Sequence, residues 1–240
     1  MEPPSKSLTR REDAGAQTLD LLVGARRYNQ WLFDRVQPAL GQRVLEVGCG
    51  TGTLTAFLVD RELLVTVDVI DDYVRGVRER FRDRANVHVR LLDLTESLGD
   101  LPQFGFDSAV SINVFEHIPD DLKAMQAVHR LLQPGGTLTL LVPSHPWLMG
   151  PFDREIGHYR RYTKPALRAK LEAAGFVVEH LRRSNPVGAA GWFLNTVVLR
   201  RRALAATHAY DRMVPLLAAL DQRLESPVGL SLVAVGRKPA

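Results

Sequence analysis

The sequence predicts an α/β fold, in which a seven-stranded, mostly parallel sheet carries helices on both faces. From residue 43 onward, short apolar runs alternate with amphipathic stretches, which is typical of strands and helices that follow one another in a parallel sheet. The 240 residues, of which 45% are hydrophobic, are enough for one such domain with a buried core and an additional segment.

Six short apolar runs have the length and composition of strands. They are residues 43–48, 63–68, 87–93, 106–112, 137–142 and 176–182. Amphipathic periodicity predicts helices at about residues 52–60, 71–84, 119–132 and 164–174, and Gly175 fits the cap that ends the last of them. A seventh strand over residues 229–238 follows a long helical segment, so we expect it to be antiparallel, at an edge of the sheet or in a hairpin.

Three segments lie outside this alternation. Residues 1–14 contain two prolines and many charges but no periodic apolar pattern, which predicts a flexible N-terminal arm before a domain at residues 15–240. Apolar residues at helical spacing then predict a leading helix that ends before Pro38. Residues 186–226, called the insert below, are helical and amphipathic. We expect the insert to be a lid, with a dimer surface or a lipid contact as the alternatives.

The composition disfavours several classes of protein. With 31 basic and 27 acidic residues, the net charge of +4 is too small to indicate a nucleic-acid partner. A single cysteine, Cys49, cannot form an internal disulfide, and no Cys/His cluster has zinc spacing. The N-terminus lacks the apolar region of a secretory signal, and the longest apolar run is shorter than the ~20 residues that span a bilayer. We therefore expect a cytoplasmic protein, a monomer or a homodimer.

The strongest signal is a glycine-rich loop between the first strand and the first helix. Gly48, Gly50 and Gly52 would let the backbone turn sharply and approach a ligand, because they carry no Cβ. The spacing differs from the dinucleotide-binding fingerprint, because Thr53 stands where that motif has its third glycine. The loop also lacks the Gly-Lys-Ser/Thr ending of a P-loop.

Three carboxylates stand near the ends of successive strands. Glu46 precedes the glycines, Asp68 ends the second strand and Asp93 ends the third. Each alone could be a cap or turn residue, but the carboxyl ends of parallel strands share one edge, where ligands bind. Glu46 would repel a pyrophosphate and attract a cation. Asp68 could accept hydrogen bonds from ribose hydroxyls, and Asp93 could accept from the amine of an adenine.

Together these residues resemble the motifs of class I S-adenosylmethionine-dependent methyltransferases of the bacterial small-molecule type. The similar segments are residues 46–52, Asp68, the run ending in Asp93 and Leu94, and the Leu-Gln-Pro-Gly-Gly of residues 132–136. The resemblance implies a Rossmann-like seven-stranded sheet with an antiparallel last strand. It also implies S-adenosyl-L-methionine as the cofactor.

The resemblance further assigns a cofactor site. It implies that Glu46 and the glycine loop hold the methionine part, that Asp68 holds the ribose, and that Asp93 and Leu94 contact the adenine. The backbone near Asn113 would accept from the cofactor's amino group, and Tyr28 of the leading helix could bind its carboxylate. The full set of predicted cofactor-binding residues is Tyr28, Glu46, Gly48, Cys49, Gly50, Gly52, Asp68, Val69, Asp93, Leu94 and Asn113. Val69 stands where many relatives have a small polar residue.

Polar residues after the fourth and fifth strands are candidates for the acceptor side. His117 could act as a general base, orient the acceptor, or only hydrogen-bond its own loop. Residues 144–163, the acceptor loop, form an unusually long connection that resembles the acceptor loop of a bacterial subgroup. The candidates in it are His158 for catalysis and His145, Tyr159, Arg160 and Tyr162 for binding the acceptor. The alternative is that this stretch docks the loop on the sheet and caps the helix after Thr163.

These observations lead us to expect a methyltransferase that acts on an O or N atom of a small molecule without a metal. A magnesium site would need acidic ligands after the fourth strand, for which Asp120 and Asp121 are a weak match. Two alternatives stay open. One is an enzyme that uses the same cofactor for non-methylating chemistry, such as cyclisation or aminocarboxypropyl transfer. The other is a cofactor-binding homologue without catalysis, which the intact set of carboxylates disfavours.

Overall fold

A central sheet of seven strands organises the protein. In a computed structural model of the chain, residues 19–20, 23–198, 207–223 and 226–240 are described. The strands are β1 (Arg43–Val47), β2 (Leu63–Asp68), β3 (Val87–Leu91), β4 (Phe106–Ile112), β5 (Leu132–Pro143), β6 (Val177–Ser184) and β7 (Ser231–Arg237). Their order in the sheet is β3-β2-β1-β4-β5-β7-β6, which confirms the predicted fold class.

The first five strands pair in parallel, and β7 is antiparallel to both of its neighbours, β5 and β6. The predicted antiparallel last strand is therefore confirmed. Of its two predicted positions, an edge or a hairpin, the structure shows antiparallel pairing with the preceding strand β6 and not an edge. Residues 231–236 of β7 are all buried, whereas most of β6 is at least partly exposed. A strand buried on both faces belongs inside a sheet, so β7 lies between β5 and β6, and β6 is the edge strand. The insert connects β6 to β7 in the sequence.

Helices cover both faces of the sheet. They are α1 (Arg26–Val36), α2 (Thr55–Leu58), α3 (Asp71–Arg80), α4 (Asp121–Leu131), α5 (Pro151–Glu155), α6 (Lys164–Ala173), α7 (Pro186–Trp192) and α8 (Thr207–Arg223). A π-helical segment, Phe193–Val198, continues α7. The predicted helices are present, although α2 is shorter than expected and α5 was not predicted. The predicted arm at residues 1–14 lies outside the described residues, as do residues 199–206 and 224–225 of the insert.

Strand periodicity divides the core between the two faces. Val44 of β1 packs with residues of α1 and α2, whereas Leu45 packs with residues of α4 and α6. Successive side chains of a strand point to opposite faces, so one strand serves both halves of the core. Thr163 caps α6 by accepting a hydrogen bond from the Ala166 amide, and Gly175, at φ +100°, follows the end of that helix as predicted.

The described part of the insert packs on α1 and on the end of β6. The buried carboxylate of Asp221 in α8 lies 3.2 Å from the Arg35 guanidinium of α1. It also accepts hydrogen bonds from the Ser184 hydroxyl and the Asn185 amide at the end of β6. One buried side chain thus connects three elements. Among the described residues, no helix combines the length and the apolar composition that crossing a membrane requires.

Candidate active site

The carboxyl edge of the sheet carries the unusual backbone conformations of the chain. Three described non-glycine residues have positive φ: Asn113 at 54°, His145 at 60° and Asn185 at 63°. They stand one or two residues after the ends of β4, β5 and β6. Such conformations cost energy and tend to cluster at functional sites, so this edge is a candidate functional site.

The glycine loop follows β1 at this edge and is tied to β2. The amides of Gly48 and Cys49 both donate to the Val67 carbonyl, at 2.8 and 3.2 Å. Gly48 has φ +85°, and a Cβ on it would lie 2.3 Å from Val114, so packing requires this glycine. Gly50 has φ +47°, but a Cβ there would meet only Leu19, at 3.9 Å. Gly50 therefore faces open space, as expected of a residue that lets a ligand approach.

A cavity of about 370 Å³ opens beside Gly50. Its lining consists of the glycine loop and one face of α3, namely Gly50, Thr51, Asp72, Tyr73, Gly76 and Val77. The volume is within the range of small-molecule sites. The contribution of α3 was missed in the sequence, where these residues have only the pattern of an ordinary amphipathic helix.

Asp68 joins the glycine loop to the end of β2. Its carboxylate accepts hydrogen bonds from the amides of Gly50 (2.9 Å) and Ile70 (3.0 Å). Burial raises the pKa of Asp68, while the backbone amides act against this shift. A carboxylate oxygen has two lone pairs, so acceptor capacity for ribose hydroxyls remains. Val69 beside it is 40% exposed and available to a ligand.

Glu46 lies beneath the loop and is fully buried. One carboxylate oxygen, Oε2, accepts from the Thr55 hydroxyl at 2.7 Å, whereas Oε1 has no hydrogen-bond partner among the described residues. Burial raises the pKa of Glu46 to about 8. Since this pKa lies above the ordinary value of 4.5, the carboxyl's contribution to stability is complete below pH 4.5 and is lost as pH rises through 8. A cationic group would stabilise the ionised form.

The other predicted cofactor residues are placed less favourably. Asp93 accepts hydrogen bonds from the amide and the hydroxyl of Thr95, both at 2.7 Å. These contacts fit the alternative that Asp93 is a turn residue. Leu94 is 6% exposed and belongs to the main core, and the Cys49 side chain packs in the core beneath the loop. The contact of these two side chains with a ligand stays a prediction.

Tyr28 and Asn113 were also assigned to the cofactor. The ring of Tyr28 packs edge-on against Tyr210 of the insert, with 5.9 Å between ring centroids, and burial raises its pKa to about 12. In this structure the insert is thus the neighbour of Tyr28. The backbone amide of Asn113 donates to the Leu141 carbonyl. The backbone carbonyl of Asn113 is therefore the group to which a ligand would donate.

A buried ionic network holds the acceptor loop. Asp153 accepts from the Gly150 amide through Oδ2, and its Oδ1 accepts from the Arg161 guanidinium at 2.7 and 2.8 Å. Oδ1 also lies 2.9 Å from Nδ1 of His158. Burial opposes the ionisation of Asp153, but His158 and Arg161 outweigh it and hold the pKa of Asp153 below its usual value. The network fixes the imidazole of His158.

His158 meets two residues from the connection after β4. Its Nε2 lies 3.8 Å from Oε1 of Glu116, and its ring stands edge-on to that of His117, with 4.6 Å between centroids. Glu116 is fully buried, neither carboxylate oxygen has a hydrogen-bond partner on another described residue, and burial raises its pKa to about 8. The structure thus brings the two predicted catalytic histidines together. Glu116 was missed, although its place beside His117 was a possible signal.

Two of the predicted acceptor-binding residues dock the loop instead. Arg160 donates to the carbonyls of Ile118 and Pro119, each at 2.6 Å. Tyr162 is buried, with its hydroxyl 2.7 Å from Asp121. Their polar groups already have partners, which favours the docking alternative, and the binding of an acceptor by these two residues stays a prediction. The helix cap at Thr163 agrees with it.

The other two candidates retain more freedom. The Tyr159 side chain is 59% exposed. Nε2 of His145 accepts a hydrogen bond from the Gly229 amide at a long distance of 3.4 Å, and burial lowers the pKa of His145. Both lie on the acceptor loop, and their contact with an acceptor stays a prediction.

The insert packs against this loop through aromatic side chains. Trp192 stands edge-on to Phe152, with centroids 5.5 Å apart, and the Arg161 guanidinium lies 4.7 Å from the centre of the Trp192 ring. Phe193 contacts Trp147 in a similar way, at 5.8 Å. The described start of the insert therefore covers the acceptor loop, which is the position expected of a lid.

Comparison with known proteins decides the family. The profile of a family described as "Methyltransferase domain" matches residues 23–181, more than half of the chain. The chain belongs to this family. The resemblance to class I S-adenosylmethionine-dependent methyltransferases is thereby confirmed.

Individual relatives agree with this membership. An uncharacterized methyltransferase of Mycobacterium bovis is 39% identical over 117 residues, which are 47% of this chain and 58% of that protein. This chain thus matches less than two thirds of the relative's length. A ubiquinone biosynthesis O-methyltransferase of Pseudomonas fluorescens is 31% identical over 63% of this chain and 71% of that protein.

A solved structure supports the fold. The S-adenosylmethionine-dependent methyltransferase from Mesorhizobium loti superposes with a TM-score of 0.61 at 20% identity, over 90% of this chain and 100% of that one. At this identity the similarity concerns the fold alone, which is the predicted Rossmann-like arrangement.

The open space at Gly50 leads to a test by substitution. Gly50→Ala should weaken S-adenosylmethionine binding by ~10-fold or more, because a methyl group would occupy the space left for the ligand. Gly99→Ala is the matched control, since Gly99 has a similar φ of +51° in an exposed loop. Each change should cost about 1 kcal/mol of stability through backbone strain.

Calorimetric titration with the cofactor and thermal unfolding of both variants check this prediction. If Gly50→Ala binds like Gly99→Ala, the ligand does not approach the loop at this point.

Proposed function

We propose that this methyltransferase family member transfers a methyl group from S-adenosylmethionine to an oxygen or nitrogen atom of a small molecule. The observation that carries the proposal is the pairing of two sites at one sheet edge. One is the glycine loop joined to Asp68, and the other is the cluster of Glu116, His117 and His158. The name of the Pseudomonas relative makes an oxygen acceptor the first choice.

The residues on the cofactor side fit the ligand in two respects. Gly50 leaves space that a Cβ would fill, and the unpartnered Oε1 of Glu46 favours a cationic group close by. When bound, S-adenosylmethionine supplies a methyl carbon that its sulfonium makes electrophilic. The task of the chain is then to hold the adenosyl and methionine parts, with Asp68 accepting from the ribose hydroxyls.

The acceptor side has to align the attacking atom and help it lose a proton. Asp153 fixes the imidazole of His158, so that Nε2 is directed toward Glu116, beside His117. We assign the activation of the acceptor to these three side chains. The aromatic contacts of Trp192 and Phe193 with the acceptor loop support a role of the insert as the lid that excludes water.

Asp68 gives the most direct test of the cofactor site. Asp68→Ala should weaken S-adenosylmethionine binding by ~2 to 3 kcal/mol, because it removes a charged acceptor from two hydroxyls that the ligand buries. Asp71→Ala is the control, since Asp71 lies at the start of α3 and is ion-paired with Arg75. Calorimetry on the two variants and the wild type measures the difference. Equal affinities for all three proteins would move the ribose site elsewhere.

The acceptor cluster is tested by turnover. His158→Gln and His117→Gln should each lower turnover by ~10² to 10⁴, because the acceptor would lose its activating group. The affinity for S-adenosylmethionine should stay within a few-fold of the wild type. His180→Gln serves as the matched control, because that histidine is exposed on β6 and lies outside the proposed site. The assay follows S-adenosylhomocysteine formation with a panel of phenols, then of amines.

The mass of the product separates this proposal from its alternatives. Addition of one methyl group supports methyl transfer. Addition of an aminocarboxypropyl group, or rearrangement of the acceptor with no loss of cofactor, would overturn it in favour of non-methylating chemistry.

A further inference from the structure

The contact between His158 and Glu116 brings together two side chains of types that bind metals. Nδ1 of His158 lies 2.9 Å from the Asp153 carboxylate and is the ring nitrogen that contacts it, so Nε2 is the ring nitrogen directed at Glu116. Nε2 lies 3.8 Å from Oε1 of Glu116. The two carboxylate oxygens of Glu116 are themselves buried and unpartnered on other described residues. A metal ion between these atoms would satisfy the buried carboxylate.

The separation of the two atoms favours a metal over a shared proton. A hydrogen bond would need about 2.7 to 3.2 Å between the heavy atoms, well below the observed 3.8 Å. Two donor atoms around a tetrahedral Zn²⁺ are ~3.4 Å apart, which a small side-chain rotation would reach. His117 completes the group, since one donor atom from each of Glu116, His117 and His158 lies within 4.8 Å of the others.

We propose that Glu116, His117 and His158 bind a divalent first-row transition metal of the Zn²⁺ type. Two imidazoles and one carboxylate are a donor set that such ions prefer, whereas Mg²⁺ and Ca²⁺ prefer oxygen donors alone. Three protein ligands leave a coordination position open. The site goes beyond the proposed methyl transfer and departs from the expectation of a metal-free enzyme. The sequence alone did not reveal it, because its ligands come from two connections that are distant in sequence.

The surroundings have the outer contacts of a metal site. Metal-binding histidines usually donate their second ring N–H to a carboxylate, as His158 does to Asp153. Arg161 lies 2.7 Å from Oδ1 of Asp153, so the carboxylate that supports His158 has a cationic partner of its own. The backbone also fixes the two connections to each other, because the Tyr159 amide donates to the Glu116 carbonyl at 2.9 Å.

Metal binding is measured without cofactor or acceptor, so its outcome is independent of the proposed function. The full-length protein is stripped with a chelator and titrated with Zn²⁺ and with Co²⁺, whose visible absorption reports nitrogen ligation. We expect saturable binding of one ion per chain and a rise in the unfolding temperature on Zn²⁺ addition.

Variants locate the ion. Glu116→Gln, which keeps the size of the side chain, and His117→Gln should each weaken Zn²⁺ binding by ~100-fold or more, since loss of an outer contact alone typically costs 10- to 100-fold. His180→Gln, on exposed β6, is the control for adventitious surface binding and should bind like the wild type. Two results would overturn the site. One is a wild type with no saturable Co²⁺ spectrum, and the other is Zn²⁺ affinity unchanged in both cluster variants.

Discussion

Five parallel strands that end at the same edge impose the arrangement of the rest of this molecule. Because β1 to β5 run in one direction, their connections place the glycine loop, Asp68, Glu116 and the acceptor loop together, although these residues lie far apart in sequence. The antiparallel β7 then fills the position beside β5, which moves β6 and the insert to the end of the sheet that adjoins the acceptor loop. The two halves of the site follow from this geometry.

Two buried carboxyl groups dominate the electrostatics of that edge. Glu46 and Glu116 are both fully buried, both lack hydrogen bonds at one or more oxygens, and burial raises the pKa of each to about 8. Unsatisfied buried acceptors destabilise a fold, and native proteins contain few of them. Their positions beneath the glycine loop and beside the paired histidines are the basis of our two proposals, that Glu46 faces a cationic part of the cofactor and that Glu116 binds a metal.

The sequence was informative wherever a local rule applied. Strand and helix periodicity predicted the sheet and nearly all helices. Glycine spacing with Asp68 predicted the cofactor edge, which stays a prediction. Side-chain partners across the chain were beyond such rules. The sequence predicts Arg160 and Tyr162 as acceptor ligands, because nothing local reveals that their polar groups donate to Ile118, Pro119 and Asp121. Glu116 was overlooked for the same reason, since its significance depends on where the acceptor loop brings His158.

The position of β7 shows a related limit. An alternating pattern predicts a strand, and the long helical segment before it suggests an edge or a hairpin position. Only the burial of both faces shows that the strand lies inside the sheet. The insert adds contacts of the same kind, because Asp221 connects α1, β6 and α8 through partners that have no sequence signature.

A crystal structure with S-adenosylhomocysteine would test the central claim, that the glycine loop and Asp68 form the cofactor site, most directly. We predict both ribose hydroxyls within ~2.7 to 3.2 Å of the Asp68 carboxylate and the ligand lying against Gly50. Density for the ligand at another edge of the sheet would contradict this claim. The absence of ligand density at a saturating concentration, in a crystal that leaves the carboxyl edge accessible, would also contradict it.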